Sequence, residues 1–241
     1  MISQKSLKIQ KEFSKYAKSY DKYNVIQKKV AKELLSKIVQ KKYANVVDLG
    51  AGSGTIYHYL SSKISYKNFF ALDYSIEMLN IHPSDTKIIK KIYDFNTQSL
   101  SCLDLECIDL LISSSSLQWC NNFNKTIYDI VHHSSDIALA IFTNNTFKTL
   151  HQIASIKSPI ISQEQILDTL NSQKKVFNIE IKEYRLSFES KKDIFRYIKK
   201  SGVSGGDKLL SYKETKRLIE EYPYDFLEFE VVFATAIGKG Q

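Results

Sequence analysis

Apolar residues along this chain follow two rhythms. Over residues 5–42, Phe13, Tyr16, Ala17 and Tyr20, then Val30, Leu34, Leu35 and Ile38, recur at spacings of three and four, which predicts helix. Short apolar runs of strand type follow at 45–49, 68–72, 87–93, 108–113 and 136–142. Helical patterning lies between them, over 55–63 and from Ser75, a residue suited to cap a helix N-terminus. His132 and His133 close a further helix, where a cation is mildly favourable. Strands alternating with helices predict a parallel sheet covered on both faces. After residue 143 the pattern changes. A polar helical stretch (146–173) precedes a strand (177–188), and another helical stretch (191–220) precedes a final strand (226–237), with breaks at Pro159, Gly202, Gly205 and Gly206.

Length and composition narrow this picture. The chain has 241 residues, 43% of them apolar, enough for one domain with a full core and too apolar for a disordered chain. No run approaches the ~18 apolar residues a membrane span needs, and the N-terminus lacks the apolar centre of a secretory signal. Cys102, Cys107 and Cys120 are odd in number and without metal-ligand spacing, and the five histidines form no ligand pattern. A cytoplasmic protein without metal is expected, and a monomer. The net charge is +8, and only Arg185, Arg196 and Arg217 are arginine among 34 cations. Such a charge fits either an AT-rich genome's lysine bias or a basic face for an acidic partner, nucleic acid or carrier protein.

Glycine supplies the candidate chemistry. There are eight glycines, and three of them, Gly50, Gly52 and Gly54, stand within five residues. Asp48, Gly50, Ala51, Gly52 and Gly54 form a strand-to-helix turn whose backbone can approach a ligand closely. Asp73 ends the second strand and Asp94 follows the third, and ligands of open parallel sheets lie beyond such strand ends. The spacing is G-x-G-x-G rather than the dinucleotide G-x-G-x-x-G. A pyrophosphate would gain little from acids at 48 and 94, whereas a ligand with an ammonium, a ribose and an adenine suits them.

These residues resemble the class I S-adenosylmethionine-dependent methyltransferases. The resemblance implies a Rossmann-like α/β fold with a mostly parallel seven-stranded sheet and an antiparallel last strand. It implies S-adenosylmethionine as cofactor and S-adenosylhomocysteine as product. The glycine turn would hold the methionine part, Asp73 the ribose hydroxyls and Asp94 the adenine amino group. Tyr74 and Phe95 would flank adenine, and Ser113 would complete the pocket. Phe13, Tyr16, Tyr20, Asp21 and Gln27 in the first helix, Gln118-Trp119 after the fourth strand, and the stretch from Ile194 to Gly202 resemble the malonyl-carrier-protein O-methyltransferases of biotin synthesis. That family implies a single domain: a helical lid (1–42), a cofactor-binding half (43–143) and a substrate-side half (144–241). It also implies a malonyl thioester on acyl carrier protein as substrate, or malonyl-CoA. Arg196 would select the substrate carboxylate with Lys199 beside it. Tyr16 and Tyr20 would form the lid, Trp119 the acyl wall, and Gln118 a donor to a carboxylate. A small-acid enzyme of the trans-aconitate type is the nearest alternative. An RNA methyltransferase is more distant, because Ser113 to Ser116 replace the N-P-P-Y tetrapeptide of amine methylators.

Overall fold

The computed structural model describes residues 23–39, 42–60, 64–200 and 212–238, and Tyr16 and Tyr20 lie outside them. In chain order the elements are α1 (Val25–Ser36), β1 (Lys42–Leu49), α2 (Thr55–Leu60), β2 (Ser65–Asp73), α3 (Ile76–Ile81) and β3 (Ile88–Ile92). Next come β4 (Ile108–Ser114), α4 (Phe123–His133), β5 (Ser134–Phe142), α5 (Lys148–Ile153) and α6 (Gln163–Asn171). The chain continues through β6 (Asn178–Ser187), α7 (Lys191–Lys200) and α8 (Tyr212–Glu221) to β7 (Phe226–Ala236). Short 3-10 turns at Leu100–Leu103 and Leu117–Trp119 flank β4.

The sheet has seven strands in the order β3-β2-β1-β4-β5-β7-β6. β1, β2, β3, β4 and β5 pair in parallel, while β7 runs antiparallel to both neighbours, as expected from the family. Successive residues of each central strand face opposite layers, because strand side chains alternate. Val46, Phe69, Leu110 and Ala138 pack toward α1, α2, α7 and α8, whereas Val47, Phe70, Leu111 and Leu139 pack toward α4 and α6. Both layers are apolar, so the strands read as continuous apolar runs.

Several boundaries differ from the sequence reading. The first helix ends at Ser36, before the expected 42, because β1 already begins at Lys42 to pair with β2. The stretch 146–173 is two short helices separated at Pro159, which lacks the N–H a continuous helix needs. Ser75 caps α3 by accepting from the Met78 N–H at 3.3 Å, and His132 and His133 close α4. α1 is tied to the far sheet edge through Glu33, which accepts from the Tyr184 hydroxyl at 2.6 Å and pairs with Lys182. That tie fixes the helix whose inner face reaches the site. Among the described residues, no helix is long and apolar enough to cross a membrane.

Candidate active site

Chain direction across the sheet reverses between β1 and β4, with β2 and β3 to one side and β5 to the other. At such a switch point the loops leave in opposite directions and open a crevice at the carboxyl strand ends. The crevice here encloses about 980 Å³, its open mouth included. Its walls come from the glycine turn, the ends of β2 and β3, the turn after β4, and α1 through Gln27 and Ala31.

The three glycines serve different ends. Gly50 and Ala51 donate N–H groups to the Leu72 carbonyl at 2.8 and 2.9 Å, which binds the turn to β2. A Cβ on Gly50 would lie 2.4 Å from Ser116 Cβ, so this glycine admits the neighbouring β4 turn. Gly54 likewise sits against Pro83, at 2.6 Å. Of the three, Gly52, at φ +53°, has nothing within 4 Å, so its bare backbone meets open space. The sequence reading assigned ligand approach to all three. Gly50 and Gly52 line the crevice and Gly54 does not, while Gly50 and Gly54 are also required by the protein's own packing.

Asp73 lines the crevice and grips the turn. One carboxylate oxygen accepts from the Gly52 N–H and the other from the Ser75 N–H, each at 2.9 Å. Burial pushes its pKa up to about 6, against the lowering effect of those bonds. Asp48 lies deeper, 1% exposed, below the turn rather than on the crevice wall. Neither of its carboxylate oxygens has a hydrogen-bond partner. Burial first, then the Asp73 charge, holds its carboxyl well above the usual range. Asp94 lines the crevice, where it accepts from the Asn96 N–H at 2.9 Å, with Tyr74, Tyr93 and Phe95 beside it. Aromatic rings beside an acid form a slot for a flat heterocycle bearing an amino group.

The turn after β4 differs from the expectation in detail. Ser113 is fully buried and donates to the Leu49 carbonyl at 2.7 Å, so it locks β4 to the glycine turn instead of facing a ligand. Ser114, Ser115, Ser116 and Trp119 line the crevice in its place. Gln118 turns its amide onto the Ser115 carbonyl at 2.8 Å and is not a wall residue, so it braces the turn.

Arg196 is not brought to the crevice. It lies on the outer face of α7, with 59% of its side chain exposed, paired with Asp193 one turn earlier. The helix turns Ile194 and Tyr197 inward to the core, with Phe195 packed against it, and leaves Arg196 outward. Lys199 belongs to the same helix, and its side chain lies outside the described residues. Arg217 pairs with Glu221 and Arg185 lies over the Phe226 ring, both away from the crevice. Among the described residues, no Lys, Arg or His lines it, and no group of three His, Cys, Asp or Glu residues could hold a metal.

Gln27 and Ser115 are among the polar wall residues that escaped assignment from sequence. Gln27 is 8% exposed, with its amide oxygen unpartnered, and faces the crevice with Ala31 one turn on. Ser115 stands at φ +62°, a conformation no propensity predicts for serine.

A sheet of this order with β7 reversed, a glycine turn after β1 and acids closing β2 and following β3 define the class I methyltransferase architecture. Within this chain, residues 47–150 match the family described as "Methyltransferase domain". Among curated relatives, it is 27% identical to the malonyl-[acyl-carrier protein] O-methyltransferase of Bacillus cereus, over 94% of this chain and 93% of that one. It is 28% identical to the protein of that name in Buchnera aphidicola, over 97% and 98%. Solved structures share the fold at low identity. The YcgJ protein from Bacillus subtilis aligns with TM-score 0.63 at 9% identity, covering 88% of this chain and 99% of its own. An S-adenosylmethionine dependent methyltransferase from Mesorhizobium loti aligns with TM-score 0.51 at 15% identity, covering 84% and 95%.

Proposed function

We propose that this enzyme transfers a methyl group from S-adenosylmethionine to the free carboxylate of malonyl thioester on acyl carrier protein, giving the methyl ester that primes pimeloyl synthesis for biotin. The observation that carries this reading is the end-to-end match to two proteins of that name. The crevice agrees with it, because a bared Gly52, an acid at the end of β2 and an aromatic slot at Asp94 suit an adenosyl ligand. The unpartnered amide oxygen of Gln27, a crevice wall residue, suits a ligand that brings an ammonium group.

When bound, S-adenosylmethionine supplies an electrophilic methyl on a sulfonium. The glycine turn, Asp73 and Asp94 would hold that group, and the methyl would pass to the substrate carboxylate oxygen with its bonding pair left on sulfur. No proton moves. A free carboxyl of pKa about 4 is already ionised at pH 7, so no general base is needed. The residues' task is to hold the reacting atoms in line, which contributes roughly 7–11 kcal/mol. Acyl carrier protein is the acidic partner for the lysine-rich surface, to which exposed Lys29 and Lys32 on α1 contribute. The enzyme acts as a cytoplasmic monomer, with residues 1–42 as the lid, 43–143 holding cofactor and 144–241 shaping the substrate side.

The test is methyl transfer from labelled S-adenosylmethionine to malonyl-carrier protein, malonyl-CoA, trans-aconitate and total RNA in parallel. Label is expected on the two malonyl thioesters. Label confined to trans-aconitate or RNA refutes the assignment.

A further inference from the structure

Around the β4 turn, four buried polar atoms have no hydrogen-bond partner, one of them Gln118 Oε1. The other three, the hydroxyls of Ser114 and Ser115 and the indole Nε1–H of Trp119, belong to residues of the crevice wall. Trp119 is 7% exposed. A buried donor left unpaired is costly, so three around one cavity await a ligand.

Ser115 carries a second cost. Its φ of +62° lies in the left-handed region, where glycine or asparagine is more comfortable. The strain is held from both sides: the Ser115 N–H donates to the Ala140 carbonyl at 2.9 Å, and Gln118 Nε2 donates to the Ser115 carbonyl at 2.8 Å. With serine rather than glycine at such a position, the hydroxyl is what the strain secures.

We propose that Ser115 Oγ and Trp119 Nε1 receive the substrate carboxylate, with Gln118 as the positioning residue that holds Ser115 in its left-handed conformation. The assignment rests on the malonyl-thioester reading and names how that site selects an acid where none of the described residues lining it is a cation. No Lys or Arg lines the crevice among the described residues, and the chemistry favours that arrangement. A fixed cation binds the ground-state carboxylate best, and that charge disappears during transfer, so the barrier rises. Neutral donors orient the oxygen while leaving its charge to the sulfonium it attacks.

The experiment measures kcat and KM with malonyl-CoA, together with the calorimetric Kd for S-adenosylhomocysteine, in Ser115→Ala, Ser115→Gly, Trp119→Phe and Gln118→Met. Ser115→Ala and Trp119→Phe are expected to lower kcat/KM by roughly ten- to a hundredfold, the loss of a hydrogen bond to a charged group. The S-adenosylhomocysteine Kd stays within about twofold. Ser115→Gly relieves the backbone strain yet lacks the hydroxyl, so it raises the melting temperature and keeps the activity loss. Gln118→Met lowers kcat/KM in the wild-type background and adds nothing to Ser115→Gly. Full activity in Ser115→Ala or Ser115→Gly overturns the assignment. So does a Kd for S-adenosylhomocysteine that weakens in step with kcat/KM, because the donors then serve the cofactor. Wild-type protein that methylates no malonyl thioester overturns the substrate reading instead, and the wild-type control separates the two.

Discussion

The two halves of the sheet place their chemistry by different means. From β1 to β5, strands are parallel and, apart from the exposed edge strand β3, buried on both faces, so each carboxyl end opens at one edge. A strand end there reaches the site by topology, and Asp73 lines the crevice from the end of β2. From residue 143 onward, β6 is a half-exposed edge strand, and α7 and α8 present their polar faces outward. Position along the chain says little about where a side chain points in that half. Asp73 therefore lines the crevice, whereas Arg196 faces solvent.

Variants on either side of this divide test it, the largest effect first. Asp73→Ala removes a carboxylate that orders Gly52 and would bind the ribose diol, and is expected to raise the S-adenosylhomocysteine Kd by roughly a hundredfold in calorimetry. The same measurement on Arg196→Ala should read within about twofold of wild type, in Kd and in turnover, because loss of one exposed ion pair changes little. A large loss of turnover there would return Arg196 to the substrate and erase the contrast.

Within the glycine turn, Gly50→Ala collides with Ser116 and strains φ +80°, which costs about 2–4 kcal/mol and lowers the melting temperature by ~5–15 °C. Gly52→Ala meets no atom and should cost about 1 kcal/mol of stability while still weakening cofactor binding. Equal melting temperatures for the two would show that the turn carries no internal packing role.

The pH dependence probes the Asp73 carboxyl. Its pKa of about 6 means that it is protonated below that pH and loses acceptor capacity. S-adenosylhomocysteine affinity should therefore fall as pH drops through 6, approaching ~10-fold per unit below it, and the dependence should vanish in Asp73→Asn. Asp48→Asn gives the smallest effect. The raised folded pKa makes ionisation of Asp48 disfavour the fold as pH rises above the unfolded value of about 4. The variant's melting temperature should exceed wild type by a few degrees at pH 7 and converge with it near pH 4.

Much of the first half was legible from residues alone. Buried parallel strands leave an apolar run that ends abruptly, and the chemistry follows at once: Asp48 to Gly54, Asp73, Asp94. The Gln118-Trp119 pair marked the β4 turn, yet its inner logic was hidden. Ser113 and Ser115 are two residues apart in a uniform serine run, and only backbone direction makes one a brace and the other a wall.

By itself the sequence determined the order of elements, the glycine turn and the acids at strand ends, because burial periodicity and backbone requirements are local. Tertiary structure alone decided which glycines meet distant protein atoms and which has open space before it, that Asp48 lies beneath the turn, and that Arg196 points outward. Those outcomes depend on atoms far apart in the chain: Gly50 meets Ser116, and Gly54 meets Pro83. Packing between distant segments sets side-chain direction, and no local pattern encodes it.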